Sequence, residues 1–462
     1  VPFCAVRAFY VKINIMKKIK LPSNVEYIIA ELERAGYEAY AVGGCVRDRL
    51  LGRVPGDWDI TTRAKPEQVK EIFAEKNIHT IDTGIQHGTV TVMVEHEGFE
   101  VTTYRIDGEY EDARHPKNVQ FTASLLEDLK RRDFTINAMA YNDKNGLIDA
   151  FDGVGDLERG VIRCVGCAME RFSEDALRML RAVRCAAQLG FSIEAETKEA
   201  MVKLAPNIAK VSAERIQTEL VKLITSAHPG EIRTAWETGL TAVFLPEFDR
   251  MMETPQNTRH HCYSVGEHTV AALEHIVGDK VLRLTMLLHD VAKPVCRTTD
   301  ASGNDHFYGH PKEGSEMARK ILRRLKFDND TTDKVCRLVC WHDDNPPLSE
   351  KNVRRAVSRI GVGQYPALFA VKRADILAQS EYQREEKLSY VDGYEALYRE
   401  ILEKNQCLTI RDLAVNGSDL IAAGMKPGKE IGETLKSLLE LVLDDPELNN
   451  RELLLERICS HE

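Results

Sequence analysis

Asp57-Trp58-Asp59 sets two carboxylates two residues apart, just ahead of the apolar Ile60. On a strand, side chains alternate with period two, so both acids would share one face, roughly 6–7 Å apart. Such a pair can share divalent cations that activate a 3′-hydroxyl and neutralise a departing pyrophosphate. Glu100, in "FEVTTYR", is the candidate third acid on a neighbouring strand. Upstream, Gly43 and Gly44 follow an apolar run, and Arg47 comes three residues after the second glycine. Glycines let backbone approach a triphosphate, a helix starting near Val46 would aim its N–H groups there, and Arg47 adds charge-assisted bonds. A lone DxD or GG is common on surfaces; the ordered combination is far more specific.

A second constellation is a helix stripe. Asp175, Arg178, Arg181 and Arg184 recur every three residues in "SEDALRMLRAVRCAAQLGF", a helix with Ser173 as N-cap and Gly190 as stop. For a random helix this would be a solvated salt-bridge face. It also has a sharper use. Cytosine and adenine each show an amine donor beside a ring-nitrogen acceptor, which a carboxylate and a guanidinium satisfy. Against guanine and uracil the order is reversed and buried polar groups stay unpaired. Asp175 with Arg178 therefore suits C and A, leaving Arg181 and Arg184 for the triphosphate or for orienting the pair.

Composition bounds what these residues can serve. The 462 residues are 43% hydrophobic and 29% charged, enough for two to four globular domains. No run reaches the roughly eighteen apolar residues of a membrane span. Eleven cysteines, an odd number, argue for free thiols in a reducing cytoplasm; the lone Cys164–Cys167 pair lacks zinc partners and reads as structural. A net charge of −10 means nucleic acid binding needs a local basic face. Residues 1–15 read as a leader, with Met16 the natural start. Residues 16–150 mix strands ("YEAYAVGG", "GTVTVMV" and "FEVTTYR", the last two a hairpin turning at "EHEG") with helices, and helical period dominates from about 170. The fold class is α+β: a head with a mixed sheet, then an all-helical body in several pieces.

The stretch Gly43–Ile60 resembles the active-site signature of the nucleotidyltransferase superfamily that includes DNA polymerase β. Within it, the chain resembles the bacterial-type, class II CCA-adding enzymes (tRNA nucleotidyltransferases) and their relatives, the bacterial poly(A) polymerases. "HGTVTVM" and "FEVTTYRIDGEYEDARHP" resemble the family's strand and flexible loop, and "RRDFTINAMAYN" its ribose-binding motif with Arg132, Asp133 and Asn137. "DAFDGVGDL" resembles the hinge, "EDALRMLRAVR" the nucleotide-template helix and "SAERIQTEL" the next motif. The resemblance implies a polymerase-β-like head at 16–150, a neck at 151–245, Mg²⁺ on Asp57 and Asp59, and base selection by Asp175 and Arg178. Partners would be tRNA, CTP and ATP. The loop Asp107–Pro116 is present, which favours an enzyme able to add A as well as C, and no basic extension speaks for poly(A) addition.

His268, His289-Asp290, His310, His342 and Asp375 occur in the order of an HD phosphohydrolase domain, which they resemble, over 246–400. Imidazoles and carboxylates hold one or two divalent metals that lower the pKa of a bound water. His268, His289, Asp290 and Asp375 are the expected ligands of Mg²⁺, Mn²⁺ or Ni²⁺. His310 and His342 are candidates for a second metal or phosphate, and Lys293 for phosphate. The implied activity is hydrolysis at nucleotide or RNA ends; a degenerate HD scaffold is the alternative. Residues 401–462 resemble a tRNA-binding tail, with Gly424, Gly428 and Lys429 at a helix start. Two other classes stand beside the transferase: a metal phosphohydrolase whose head only binds RNA, and a non-catalytic RNA binder.

Overall fold

A computed structural model describes residues 18–107 and 119–459. The expected leader and residues 108–116 of the loop lie outside them. The chain divides into two compact units, residues 1–244 and 245–462.

The first unit begins with α1 (Ser23–Arg34), which buries Val25, Ile28, Ile29 and Leu32 on one face at helical spacing. Then come β1 (Ala39–Val42), α2 (Gly44–Leu50), β2 (Asp59–Thr62), α3 (Pro66–Ala74), β3 (Thr80–Gly84), β4 (Thr89–Val94) and β5 (Glu97–Thr103). A short ladder joins β6 (Arg105–Asp107) to β7 (Val119–Phe121), and α4 (Leu125–Lys130), β8 (Met139–Asn142) and β9 (Gly146–Asp149) follow. The seven-stranded sheet runs β3-β4-β5-β2-β1-β8-β9 and is mixed: β2 and β5 are parallel, the other neighbours antiparallel. The expected hairpin forms between β4 and β5. Glu95 and His96 make its turn, both with positive φ (49° and 68°), matching the strands' twist. Every residue of β1 is buried, so its apolar run is covered on both faces.

Helices take over with α5 (Gly153–Arg159), β10 (Val161–Ile162), α6 (Ala168–Glu174), α7 (Leu177–Leu189), β11 (Ser192–Ile193, parallel to β10), α8 (Ala195–Leu204), α9 (Ala213–Ile224), α10 (Ile232–Glu237) and α11 (Thr241–Phe244). One expectation fails here. The stripe helix is two helices, broken at Asp175-Ala176, and Ser173 is no cap: it sits inside α6 with its hydroxyl donating to the Met169 carbonyl at 2.7 Å. Asp175 has extended backbone (φ −140°, ψ 104°), and its carboxylate accepts from the Leu177 N–H at 3.0 Å, opening α7 instead. Gly190 ends α7 as expected, with φ 71°.

The second unit is almost wholly helical: α12 (Pro246–Glu253), α13 (Val265–Glu274), α14 (Lys280–Leu288), α15 (Lys293–Cys296), a two-stranded ladder of β12 (Thr298–Thr299) and β13 (Asp305–His306), α16 (His310–Arg324), α17 (Asn329–Trp341), α18 (Glu350–Ile360), α19 (Tyr365–Ala378), α20 (Arg384–Glu403), α21 (Gly417–Ala422), α22 (Lys429–Asp444) and α23 (Arg451–Cys459). One apolar cluster runs from Leu338 to Leu454 and joins segments on both sides of residue 400. No described helix is long and apolar enough to cross a membrane.

Candidate active sites

In the first unit, β2 opens on Asp59, whose register partner on parallel β5 is Glu100. The two acids therefore face the same way from adjacent strands. Asp57 lies just before the strand, not within it, so alternation along β2 does not place it. Its charge still reaches Asp59. The Asp59 carboxyl is pushed up to about 6: burial raises it most, the Arg132 charge draws it down, and Asp57 and Glu100 add to the rise. A carboxylate cluster held this way suits a divalent cation, which replaces repulsion by shared attraction. On β1's far end, Gly43 has φ 86° and ψ −135°, open to glycine, and a Cβ there would lie 3.0 Å from the Arg132 guanidinium. α2 starts at Gly44, two residues before the expected Val46.

The remaining polar residues form a chain of contacts. Arg47 donates to Asn137 Oδ1 at 2.7 Å and to Asp48 at 2.9 Å. Asn137 Nδ2 donates to Asp133 Oδ1 at 3.2 Å, and Arg181 pairs with Asp133 at 2.7 Å. Burial alone would raise the Asp133 carboxyl; Arg181, Arg178 and the donors Asn137 and the Phe134 N–H hold it below its ordinary value. Arg47, Asn137 and Asp133 thus brace α2 against α7.

Asp175 and Arg178, expected to act together on a base edge, are each held by neighbouring groups. Asp175 is bound by Arg215 of α9 at 2.7 Å. Arg178, 8% exposed, donates to Glu174 at 2.6 Å and to the Arg131 and Arg171 carbonyls at 3.0 and 3.1 Å. Arg184 pairs with Glu219, also on α9, at 2.5 Å.

In the second unit, five packed helices bring the histidine–aspartate set together. His268 projects from α13, His289-Asp290 follow α14, His310 opens α16, His342 follows α17, and Asp375 sits in α19. Each imidazole presents Nδ1 to a backbone carbonyl: His289 to Met286 at 2.7 Å, His310 to Phe307 at 2.8 Å, His342 to Val339 at 2.7 Å and His268 to Ala378 at 3.3 Å. A carbonyl only accepts, so Nδ1 carries the hydrogen and Nε2 points inward as a lone pair. The Nε2 atoms of His268 and His289 are 3.3 Å apart, as are those of His310 and His342. Asp375 Oδ1 is 2.8 Å from His268 Nε2. Asp290, 1% exposed, turns Oδ2 to His289 and His268 (3.3 and 3.6 Å) and Oδ1 to His310 and His342 (3.5 and 3.7 Å). Burial holds His310 down to about 4 despite the Asp290 charge, so it stays neutral. Acceptors facing acceptors at these distances fit cations between them, in two groups: His268, His289 and Asp375, and Asp290, His310 and His342. Lys293 touches Asp290 Oδ2 at 2.7 Å and Gln256 at 2.9 Å.

In the tail, Gly424 (φ 106°) lies between α21 and α22, Gly428 precedes α22, and Lys429, 94% exposed, opens it. Cys164 is buried and Cys167 exposed, both free thiols.

Known proteins place this architecture. The Poly A polymerase head domain matches residues 39–163, the RNA and SrmB-binding site of polymerase A residues 190–252, and tRNA nucleotidyltransferase domain 2 residues 311–458. A CCA-adding enzyme of Leuconostoc mesenteroides is 51% identical over 219 residues, 47% of this chain and about half (54%) of that relative. One from Lactiplantibacillus plantarum is 35% identical over 434 residues, 93% of this chain and 94% of the relative. This chain belongs to the CCA-adding enzyme family. The crystal structure of the Bacillus stearothermophilus CCA-adding enzyme in complex with CTP superimposes with a TM-score of 0.71 at 30% identity, over 96% of this chain and 99% of that one.

Within a CCA-adding enzyme, the partners missed in the sequence are Arg215 and Glu219 of α9 and the buried Asp156 of α5. Asp156 accepts from Thr135 at 2.6 Å and from Arg159 and Arg163, tying the hinge to the turn that bears Asn137. Their signals were the motifs "SAERIQTEL" and "DGVGDL", which name residues without saying which acid meets which base. Arg215 holds the Asp175 carboxylate at 2.7 Å; if that carboxylate reads the base, Arg215→Ala is expected to lower discrimination of CTP and ATP over UTP and GTP about tenfold, the effect of one lost charge-assisted bond of about 1.4 kcal/mol. Misincorporation assays with each triphosphate alone check it.

The head also has a pH signature. Asp59 at about 6 lies above its ordinary 3.8. A carboxyl raised in the fold keeps its proton to a higher pH in the fold than in the unfolded chain. The metal-free fold is therefore destabilised as pH rises from about 4 to about 6, and a bound cation offsets this. A cation held by Asp59 would compete with the proton below about 6, its affinity falling about tenfold per pH unit. Titration with Mn²⁺ from pH 5 to 8 reads it, with Asp59→Asn removing the dependence.

Proposed function

We propose that Asp57, Asp59 and Glu100 carry the transfer chemistry of this chain, a CCA tRNA nucleotidyltransferase that builds the tRNA 3′ end from CTP and ATP. The tRNA 3′-hydroxyl oxygen bonds to the α-phosphorus, its proton passes to solvent, the bond from that phosphorus to the bridging oxygen breaks, and pyrophosphate leaves. The family uses a divalent metal, and we assign Mg²⁺ to Asp57 and Asp59; when bound it supplies Lewis-acid stabilisation of the developing charge. The Gly43–Gly44 turn and Arg132 face the triphosphate. Asp133 and Asn137 hold the floor of the nucleotide site, Asp175 and Arg178 read the base edge, and Arg181 and Arg184 fix the helix that presents them. The observation that carries this reading is the register of Asp59 with Glu100 beside a glycine turn. Release of pyrophosphate from CTP and ATP, dependent on tRNA lacking its 3′ end, tests it; no pyrophosphate would overturn it. Gly424, Gly428 and Lys429 are proposed to contact tRNA, and the cytoplasm, where tRNA matures, is the proposed location.

A second reading rests on the facing Nε2 lone pairs of the second unit. We infer a metal-dependent phosphohydrolase acting on nucleotide or RNA 3′ ends, cleaning a damaged terminus before addition. His268, His289, Asp290 and Asp375 would hold one Mg²⁺, Mn²⁺ or Ni²⁺, and His310 and His342 with Asp290 a second. Such ions lower the pKa of bound water. Lys293 neutralises Asp290 and reaches the incoming phosphate. Release of inorganic phosphate rather than pyrophosphate identifies this activity.

A further inference from the structure

Asp290, His310, His342 and Asp375 of the histidine–aspartate cluster line a cavity of about 720 Å³, far larger than a phosphoryl group and of the size that takes small-molecule ligands. One wall carries Tyr308, a large ring left 78% exposed. Its ring lies parallel to that of His306, with 5.4 Å between centroids and 5° between planes. This stack is held from behind. Asp300 accepts from His306 at 3.0 Å and from the backbone N–H groups of Ser302 and Asn304 at 2.8 and 3.0 Å, so the turn between β12 and β13 fixes the imidazole. Tyr308 is also tied to the reaction centre in sequence. Only Gly309, with φ 78°, separates it from His310, and the Phe307 carbonyl anchors the His310 ring. Across the same cavity stand Lys387 and Tyr390 of α20.

A flat aromatic face, backed by a second ring and lining a cavity that also holds the metal-type cluster, suits a flat π-system at the other end of the ligand. Nucleobases stack on such faces without regard to sequence. We propose that Tyr308, backed by His306, is the nucleobase platform of this cavity, so that its substrates are phosphate esters of nucleosides. The assignment rests on the phosphohydrolase reading above. The hydrolysis is balanced: water oxygen bonds to phosphorus, the ester P–O bond breaks, and a water proton ends on the departing nucleoside oxygen.

The test uses the full-length enzyme loaded with Mn²⁺ or Ni²⁺ and three substrates: adenosine 3′-phosphate, a trinucleotide ending in a 3′-phosphate, and ribose 5-phosphate, which has no base. Tyr308→Ala is expected to raise KM about tenfold for the first two, with kcat nearly kept, and to change kcat/KM for ribose 5-phosphate much less. Tyr308→Phe should behave as wild type. The Kd of adenosine, read by calorimetry without turnover, should rise about tenfold in Tyr308→Ala. The wild-type ratio of kcat/KM between trinucleotide and mononucleotide tells whether RNA ends or free nucleotides are the source. Equal losses on all three substrates, or none, would overturn the platform while leaving the hydrolase standing. A wild-type enzyme releasing no phosphate from any of them would overturn the hydrolase reading, and the platform with it.

Discussion

Asp59→Ala is expected to cut nucleotidyl transfer to tRNA by about 10³-fold or more, with tRNA binding nearly unchanged. The size follows from what the side chain does. The fold resists the ionisation of Asp59, since burial and the neighbouring Asp57 and Glu100 raise it together. Its removal takes away the carboxylate around which the other two are arranged, and several kcal/mol of transition-state stabilisation go with the cation it would hold. Glu100→Ala should cost less, because Asp57 and Asp59 remain. Filter binding of tRNA beside single-turnover addition separates the two effects. Retained turnover in Asp59→Ala would remove the strand-end acids from the mechanism.

Asp290→Ala is the second large effect. One carboxylate faces all four histidines, Oδ2 toward one pair and Oδ1 toward the other. Losing it removes a member of one group and the carboxylate oxygen that faces the histidines of the other, so phosphate release should fall about 10³-fold or more while CCA addition continues unchanged. The deletion also leaves Lys293 buried without its acid, which costs about 3–5 kcal/mol in the second unit. Asp290→Asn keeps the volume and separates folding from chemistry. Phosphate release that survives in a folded Asp290→Asn would reduce the cluster to a scaffold.

The sequence was most legible where residue type is itself unusual. Two aspartates around a tryptophan beside a glycine pair are an unusual combination, and an ordered set of histidines and aspartates is expensive to bury without partners, so their presence announces a site. The hairpin β4–β5 followed from simple alternation, and Glu100 was expected only on a neighbouring strand; its register with Asp59 comes from the parallel pairing of β2 and β5. What escaped was set by tertiary contact. Nothing in "SEDALRML" marks a break, since neither glycine nor proline interrupts it; the break at Asp175 goes with a carboxylate held by Arg215, forty residues on, while also capping α7. The spacing of the arginine stripe showed a shared face but not its protein partners: Arg178, Arg181 and Arg184 pair with Glu174, Asp133 and Glu219. Likewise, spacing names the four histidines but not the carbonyls that aim them.

The most direct measurement uses tRNA transcripts ending before CCA, before CA and before A, incubated with Mg²⁺ and CTP, ATP or both, followed by sequencing of the 3′ ends. The account predicts that every transcript ends at CCA when both triphosphates are present, and that Asp59→Ala leaves each end as supplied. Ends halting at CC, long A tails, or full addition by Asp59→Ala would contradict it.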